Sequence, residues 1–343
     1  MAGFSNRVKT TTKSAMMNKV VDTILNSNVF TNRILRKTSK WSGETKQFPI
    51  KFEKSTNGGN ISGLQALPTS TVNNRVKLEF SPKFYVNTVS LPKDELSVNE
   101  NSAGTEKVLD LMKTELKSTA QDSADDIAEQ LYGSNASNDK NFLGLQDIVD
   151  DGGSVDTYGT LSRATYSTIA AQVTATGGTL TKDKMETMYN SVVSGSVKTT
   201  LIITDQAGFS YYGKLLSAQE RINKNVSLYK GGLQGSTGFT GLDFMGVDVV
   251  ADEQCTSGYM YFLNEDYITF YSLPFYNSTP IDLSDVDIIG NDYSKKSGFG
   301  FSWLGKWLEP TDQAGVTTQL YLGGNLLCDN PKRQGVLTGI TGV

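Results

Sequence analysis

The sequence predicts an α+β fold with an extended two-stranded arm and one long helix. Three observations predict it. Two alternating runs, Gln47–Glu53 and Arg75–Phe80, flank a long polar tip. An amphipathic stretch runs unbroken from Thr105 to Tyr132. In the second half, β-branched strands alternate with capped helices.

The arm is read from its alternation. Phe48, Ile50 and Phe52 share one face opposite Gln47, Lys51 and Glu53, and Val76, Leu78 and Phe80 repeat the pattern on the returning run. A period of two is that of a strand covered on one side only. Between the runs, Ser55–Asn74 is rich in Ser, Thr, Asn and Gly, with Ile61, Leu64, Leu67 and Val72 as its only aliphatic side chains larger than Ala. A connection of that length is too long for a tight hairpin turn, and it fits an arm projecting from its domain, where water or a neighbouring chain satisfies the backbone.

The helix follows. Thr105 can cap it and Glu106 suits its N-terminal end; Leu109, Met112, Leu116, Ala120, Ala124, Ile127 and Leu131 then recur at steps of three and four until Gly133. At 1.5 Å per residue the span is a rod of roughly 40 Å. Its narrow apolar stripe fits one sheet laid across one helix, and its Ala-rich second half argues against a coiled-coil seam.

Beyond it the chain reads as a mixed domain. Leu180, Thr181 and Met185 start a helix that runs through Met188, Tyr189 and Val192 to Gly195. Thr199–Thr204 is a short strand, and Asp205 caps a helix bearing Phe209, Tyr212, Leu215, Leu216 and Ile222. Val247–Ala251 is a strand, and Tyr259–Leu263 with Tyr267–Tyr271 form an expected antiparallel pair around Asn264-Glu265-Asp266. At the end come a strand Thr317–Leu322, a turn at Gly323-Gly324-Asn325, a strand Leu326–Cys328, a break at Asp329–Arg333 and a last strand Val336–Ile340.

Charge is unevenly placed. Residues 1–43 hold Arg7, Lys9, Lys13, Lys19, Arg33, Arg36, Lys37 and Lys40 against Asp22 alone, a net of +7; with −4 overall, the remainder carries −11. A basic end on an acidic body predicts two kinds of neighbour, and a contact with nucleic acid through these side chains would be electrostatic and indifferent to sequence. The same start contains Val20, Val21, Ile24, Leu25, Val29, Phe30, Ile34 and Leu35 at amphipathic-helix spacing. No apolar run is long enough to cross a bilayer, and no secretion signal opens the chain, so synthesis and use in a cytoplasm are expected.

The chemistry of the chain is defined mostly by exclusion. Its 343 residues include no His, which removes Ser-His-Asp and Cys-His catalysis and most zinc sites. Gly231–Gly238 lacks the Lys-Ser/Thr ending of a phosphate loop. Asp147, Asp150 and Asp151, and likewise Asp282, Asp285 and Asp287, carry ligands suited to a hard cation, but their spacing matches no metal loop and reads as solvated turns. Cys255 and Cys328 read as buried small hydrophobes. No catalytic, cofactor-binding or metal residue is predicted.

The terminal segment from Trp307 through Val316 into the closing strands resembles the end of the major capsid proteins of tailed bacteriophages, the Hong Kong 97 type, and the resemblance extends over nearly the whole chain in order. Phe142–Val149, with Tyr158, Ser162 and Arg163 after it, is similar to the family's stretch between its spine helix and its axial domain. The resemblance implies an N-terminal arm over 1–45, an extended E-loop over 46–98 and a peripheral domain with its spine helix over 99–159. It further implies an axial domain over 160–290 and a return to the peripheral domain over 291–343. Members that cross-link use a Lys of the E-loop; here Ser55–Asn74 contains none, although Lys51, Lys54 and Lys77 lie on the stem, so cross-linking is not carried over.

The function implied is that of a non-enzymatic head protein. It would assemble into hexamers and pentamers of an icosahedral shell enclosing double-stranded DNA, with scaffolding and portal proteins as partners, no cofactor and no membrane. Phe48, Ile50, Phe52, Val76, Leu78 and Phe80 are the expected inter-subunit contacts, ordered by burial against neighbours; Arg7, Lys9, Lys13, Lys19, Arg33, Arg36, Lys37 and Lys40 are the expected genome-facing cations. Two alternatives stand beside this reading. An encapsulin-like nanocompartment shell keeps the fold and changes the contents. A carbohydrate-binding or hydrolase domain would instead use Tyr259, Tyr261, Tyr267, Phe270 and Tyr271 as an aromatic platform.

Overall fold

A short helix, α1 (Val29–Arg36), opens the described part of the computed structural model, which covers residues 29–55, 57–63, 72–100, 111–216, 224–225, 240–273, 279–280, 302–303, 308–310 and 313–343. The strands β1 (Ser39–Lys40), β2 (Lys46–Lys51), β3 (Arg75–Phe80) and β4 (Lys83–Pro92) follow, then α2 (Lys93–Glu100) and the long α3 (Leu111–Tyr132). A one-turn α4 (Leu145–Ile148) leads to the small hairpin β5 (Thr157–Tyr158) and β6 (Leu161–Ser162). The second half comprises β7 (Gln172–Thr179), α5 (Lys182–Val192), β8 (Leu201–Thr204), α6 (Gln206–Leu215), β9 (Lys224–Asn225), β10 (Thr240–Phe244), β11 (Val247–Ala251), β12 (Met260–Leu263), β13 (Ile268–Ser272), β14 (Thr279–Pro280), β15 (Ser302–Trp303), β16 (Gly315–Cys328) and β17 (Gly335–Gly342).

Two large sheets organise these elements. The seven-stranded sheet runs β7-β17-β12-β8-β11-β10-β9. Ile202, Val249, Met260, Phe262 and Leu337 pack on α5 and α6, while Leu201, Ile203, Val250, Tyr261 and Val336 face the rest of the molecule. Cover on both sides explains why Leu-Ile-Ile-Thr and Met-Tyr-Phe-Leu are buried at every position and show no alternation. The second sheet runs β1-β13-β16-β15-β14, with β4 along the other side of β16. Helix α3 lies on this sheet: Asn87 Nδ2 donates to Ser123 Oγ (2.8 Å) and the Tyr85 hydroxyl to Asp126 (2.7 Å), while Ala120, Ile127, Ala128 and Leu131 form its buried stripe.

Several expectations are confirmed at residue level. Thr181 caps α5 by accepting from the Lys184 amide, Asp205 caps α6 by accepting from Gly208, and β11 spans Val247–Ala251 as read. Both cysteines are free and buried. The long helix is described from Leu111 onward; its expected first turns at 105–110 lie outside the described residues.

Four expectations need correction. Tyr259–Leu263 and Tyr267–Tyr271 do not pair: β12 lies between β17 and β8, β13 lies against β16, and Asn264–Tyr267 crosses from one sheet to the other. Gln334 stabilises the crossover, its side chain accepting from the Asn264 amide (2.8 Å) and donating to the Asn264 carbonyl (3.1 Å). Gly323-Gly324-Asn325 is no turn, because β16 continues through it for 14 residues. The glycines serve close approach instead: a Cβ on Gly324, at φ +149°, would lie 2.1 Å from the Tyr271 carbonyl oxygen. The last strand does not return to the sheet of the long helix; β17 inserts between β7 and β12, with Gly335 tight beneath Met188 and Val192. Finally, α6 ends at Leu215, with Leu216 already extended; Ile222 lies outside the described residues.

Candidate assembly surfaces

Contacts with other molecules were expected of the N-terminal segment and the β2–β3 ribbon; α1, where the described part of that segment begins, and the ribbon are each fastened to their own chain. In α1, Val29, Phe30 and Ile34 are buried in the main core. The Asp252 carboxylate receives the Phe30 amide (3.1 Å) at the helix start, where the unpaired amides and the helix dipole favour an acceptor. Burial lifts the Asp252 carboxyl above its ordinary value, against the lowering effect of those amides. One turn on, Arg33 forks onto Glu265, with Nε–Oε1 at 2.7 Å and Nη2–Oε2 at 2.6 Å, and Thr200 also donates to that carboxylate (3.1 Å).

This geometry corrects the list of genome-facing cations. Arg33 is 8% exposed in its side chain and neutralised by a buried partner, so its charge fixes α1 and is not offered to a polyanion. Lys37 donates to the carbonyls of Glu265 and Asp266 and is an exposed residue, and Lys40 is exposed on β1. Arg36 belongs to α1, but its side chain is outside the described part, as are Arg7, Lys9, Lys13 and Lys19 altogether.

The two alternating runs pair as an antiparallel ribbon, in the register Lys46↔Phe80 through Lys51↔Arg75. Pro49, which lacks a donor, is tolerated because β2 pairs on one side only. The inner row faces this chain's own core. Leu78 and Phe80 are buried, Phe48 packs on Phe80 (6.1 Å between ring centroids) and Tyr271 (5.9 Å), Phe80 on Tyr158 (5.1 Å) and Phe52 on Tyr166 (5.3 Å), while Ile50 and Val76 are half-buried. Within this chain the row is closed completely at Leu78 and Phe80 and partly at Phe48, Ile50, Phe52 and Val76, which keep some apolar surface exposed. The outer row, Lys51, Arg75 and Lys77, is exposed, and so is Ile61 on the described part of the tip.

A small turn secures the foot of the ribbon. Gly159 and Thr160 have φ of +55° and +70°, the conformation that closes the two-residue hairpin between β5 and β6. The Gly159 carbonyl receives the Glu79 amide (3.0 Å), and a Cβ on Gly159 would collide with Phe80 and Leu78. Asn325 donates to the Ser81 carbonyl (3.2 Å) while accepting from the Leu143 amide (2.9 Å). A cavity of about 220 Å³ opens at this foot between Glu79, Lys83, Asn135, Tyr158 and Thr160. Behind it, Arg163 is buried and donates to the carbonyls of Val155 (2.5 Å), Asp147 (2.5 Å), Ile148 (3.2 Å) and Ile169 (3.3 Å).

The groups considered for chemistry have structural partners. Asp147 accepts from Ser134 Oγ and the amides of Asn135 and Gly144, and Asp150 from the amides of Gly152, Ser154 and Val155. Among the described residues, no group of three His, Cys, Asp or Glu is placed to hold a metal; Asp282, Asp285 and Asp287 lie outside them. No helix among the described residues is long and apolar enough to cross a membrane. Tyr261 and Phe270 are fully buried, and Tyr259, Tyr267 and Tyr271 pack against the core, so the aromatic platform does not form.

Sequence reasoning missed the receptors of α1, Asp252 and Glu265, because only the fold brings them to residue 30. It also passed over a legible pattern on α3. Asp122, Asp125, Asp126 and Glu129 stand at i, i+3, i+4 and i+7, one helix face, with no basic residue between Gln121 and Tyr132.

No family model matches the chain, and no curated protein matches its sequence. Solved structures do match its fold. A chain of the cyanophage A-1(L) capsid asymmetric unit aligns with a TM-score of 0.74 at 17% identity, covering 98% of this chain and 100% of that one. A chain of the holo-SrpI encapsulin complex from Synechococcus elongatus PCC 7942 aligns at 0.62 with 12% identity, covering 99% and 96%. One from the capsid of a native GTA particle aligns at 0.60 with 10% identity, covering 96% and 95%. The fold is the Hong Kong 97-type capsid fold expected from the sequence.

Proposed function

We propose that this chain is the major head protein of a tailed bacteriophage, a shell subunit that assembles as hexamers and pentamers into an icosahedral container for double-stranded DNA. The end-to-end agreement with a cyanophage capsid chain, with neither chain left substantially over, is the observation that carries the reading. Its role is structural, and the carboxylates described above serve helix starts, turns and packing. Arg7, Lys9, Lys13 and Lys19 supply the cations for genome contact, and Lys37 and Lys40 add charge at the root of the arm. Scaffolding and portal proteins complete assembly in the host cytoplasm, and the finished subunit resides in the virion.

A second reading, an encapsulin-like compartment, is favoured by the encapsulin alignment at 0.62. The two differ in contents. Expression of the chain, alone and with a candidate scaffold, followed by light scattering and negative-stain microscopy, is expected to give closed shells tens of nanometres across, and a strict monomer in every condition contradicts both readings. Nucleic acid enriched in purified particles supports the phage shell; a single enclosed enzyme supports the compartment.

A further inference from the structure

We infer that residues 29–41 act as a strap that locks the two large sheets at one setting and opens as a unit while the rest of the subunit stays folded. The strap crosses the junction between the sheets. Its first end meets the seven-stranded sheet, where the carboxylate of Asp252, the residue after β11, receives the Phe30 amide (3.1 Å). Its middle grips the crossover: Arg33 forks onto Glu265, and Lys37 donates to the carbonyls of Glu265 (2.9 Å) and Asp266 (3.3 Å). Its far end joins the other sheet, where β1 runs parallel to β13 and the Trp41 amide donates to the Ser272 carbonyl (2.8 Å). Sliding one sheet against the other would break at least one of these three attachments, so the seated strap holds both.

The same contacts let the strap leave whole. Arg33 and Glu265 are both nearly dry, at 8% and 5% exposure, and dehydrating two charges offsets much of their attraction; the pair defines the seat more than it strengthens it. Thr31 buries a hydroxyl with no hydrogen-bond partner among the described residues, a cost that water removes when the strap lifts. Val29, Phe30 and Ile34 anchor the strap in the core, and all three belong to one helix of eight residues, too short to persist without that seat. β1 lies at the edge of its sheet and pairs with β13 alone among the described strands. Just past Trp41, Gly43 stands at φ +83°, where a Cβ would approach only the Thr45 carbonyl oxygen, at 3.8 Å, so the strap ends on a joint with room to turn.

A reversible lock tests the strap. Lys40→Cys with Ser272→Cys puts thiols at directly paired positions of neighbouring strands, about 4.8 Å apart along the backbone and within the reach of a disulfide. Native Cys255, whose amide donates to the Asp252 carbonyl, reports opening at the strap's first end, and Cys328 inside β16 reports global unfolding. Hydrogen exchange of the full chain is expected to show residues 29–41 opening together, faster than β8 and β12 by on the order of tenfold or more. Oxidation of the double variant is expected to slow that exchange throughout and to protect Cys255 from maleimide, and reduction to restore both. Glu265→Gln is expected to speed both several-fold while β8, β12 and Cys328 keep their rates. Exchange of 29–41 in step with β8 and β12, or fraying residue by residue from Val29, overturns the inference on the parent chain alone. So does exchange that ignores the closed disulfide, and failure of the disulfide to form would show that β1 does not seat on β13.

Discussion

The seven-stranded sheet and the β2–β3 ribbon are both β-structure, yet they stabilise the chain in different ways. Strands β8 and β12 are buried at all four positions each, covered on both faces within the subunit. The ribbon is covered on one face, and its other face is polar and basic. The sheet therefore owes its stability to this chain alone, whereas the ribbon has one side free for another molecule. The contrast teaches that folding closes one face of the ribbon and leaves the other polar and open, so the boundary of the core runs between its two faces and not at its root.

The largest effects should fall on the sheet side of this comparison. Phe262→Ala removes a ring buried between the sheet and its helices and is expected to cost about 3–5 kcal/mol in denaturant unfolding. A comparable loss, about 3–5 kcal/mol, is expected for Arg163→Ala, which strands three buried carbonyls and a half-buried one; Arg163→Lys should not restore it, because an ammonium cannot reproduce the planar fork. Equal losses for Ile50→Ala and Phe262→Ala would erase the distinction between the two regions.

At the ribbon's foot, Gly159→Ala forces a Cβ against Phe80 Cζ at 2.7 Å in a left-handed backbone, and about 1–3 kcal/mol is expected. Limited proteolysis should show the ribbon cleaved sooner in this variant than in the parent. Cleavage at an unchanged rate would mean that the turn does not set the ribbon's position.

Titration sharpens the comparison at α1. The folded Asp252 carboxyl lies above its unfolded value of 3.8, so its contribution to stability is complete below that value and is lost as pH rises through the folded one. Asp252→Asn keeps an acceptor for the Phe30 amide and is expected to flatten this part of the pH–stability curve, leaving the variant relatively more stable on the alkaline side. A slope identical to that of the parent would exclude Asp252 as its source. The smallest effect belongs to the outer face. Lys51→Glu turns a repulsive cross-strand pair into an attractive one and should raise subunit stability by about 0.2–1 kcal/mol in denaturant unfolding.

Much of this was legible in the chain. The alternation of Phe48, Ile50 and Phe52 gave the ribbon's inner face, though not its register, and Thr181 and Asp205 marked two helix starts because capping is a local event. What failed was non-local. Tyr259–Leu263 and Tyr267–Tyr271 look like a hairpin, since two strands around Asn-Glu-Asp resemble one whether they pair or part company between sheets. Gly323-Gly324 looks like a turn, since close backbone approach and tight turning both select glycine. The basic count of residues 1–43 was correct as arithmetic and misleading at Arg33, whose partner Glu265 is 232 residues away. The inner row of the ribbon was visible as apolar, but periodicity cannot say whether its cover is the same chain or the next.

Hydrogen exchange on the free subunit, compared with assembled particles, tests that last point most directly. The paired amides of Lys46–Lys51 and Arg75–Phe80 are predicted to be protected already in the free subunit, with assembly adding protection at the exposed tip around Ile61. Ribbon amides that exchange freely until particles form would contradict the account, and would place the folding of the ribbon in assembly itself.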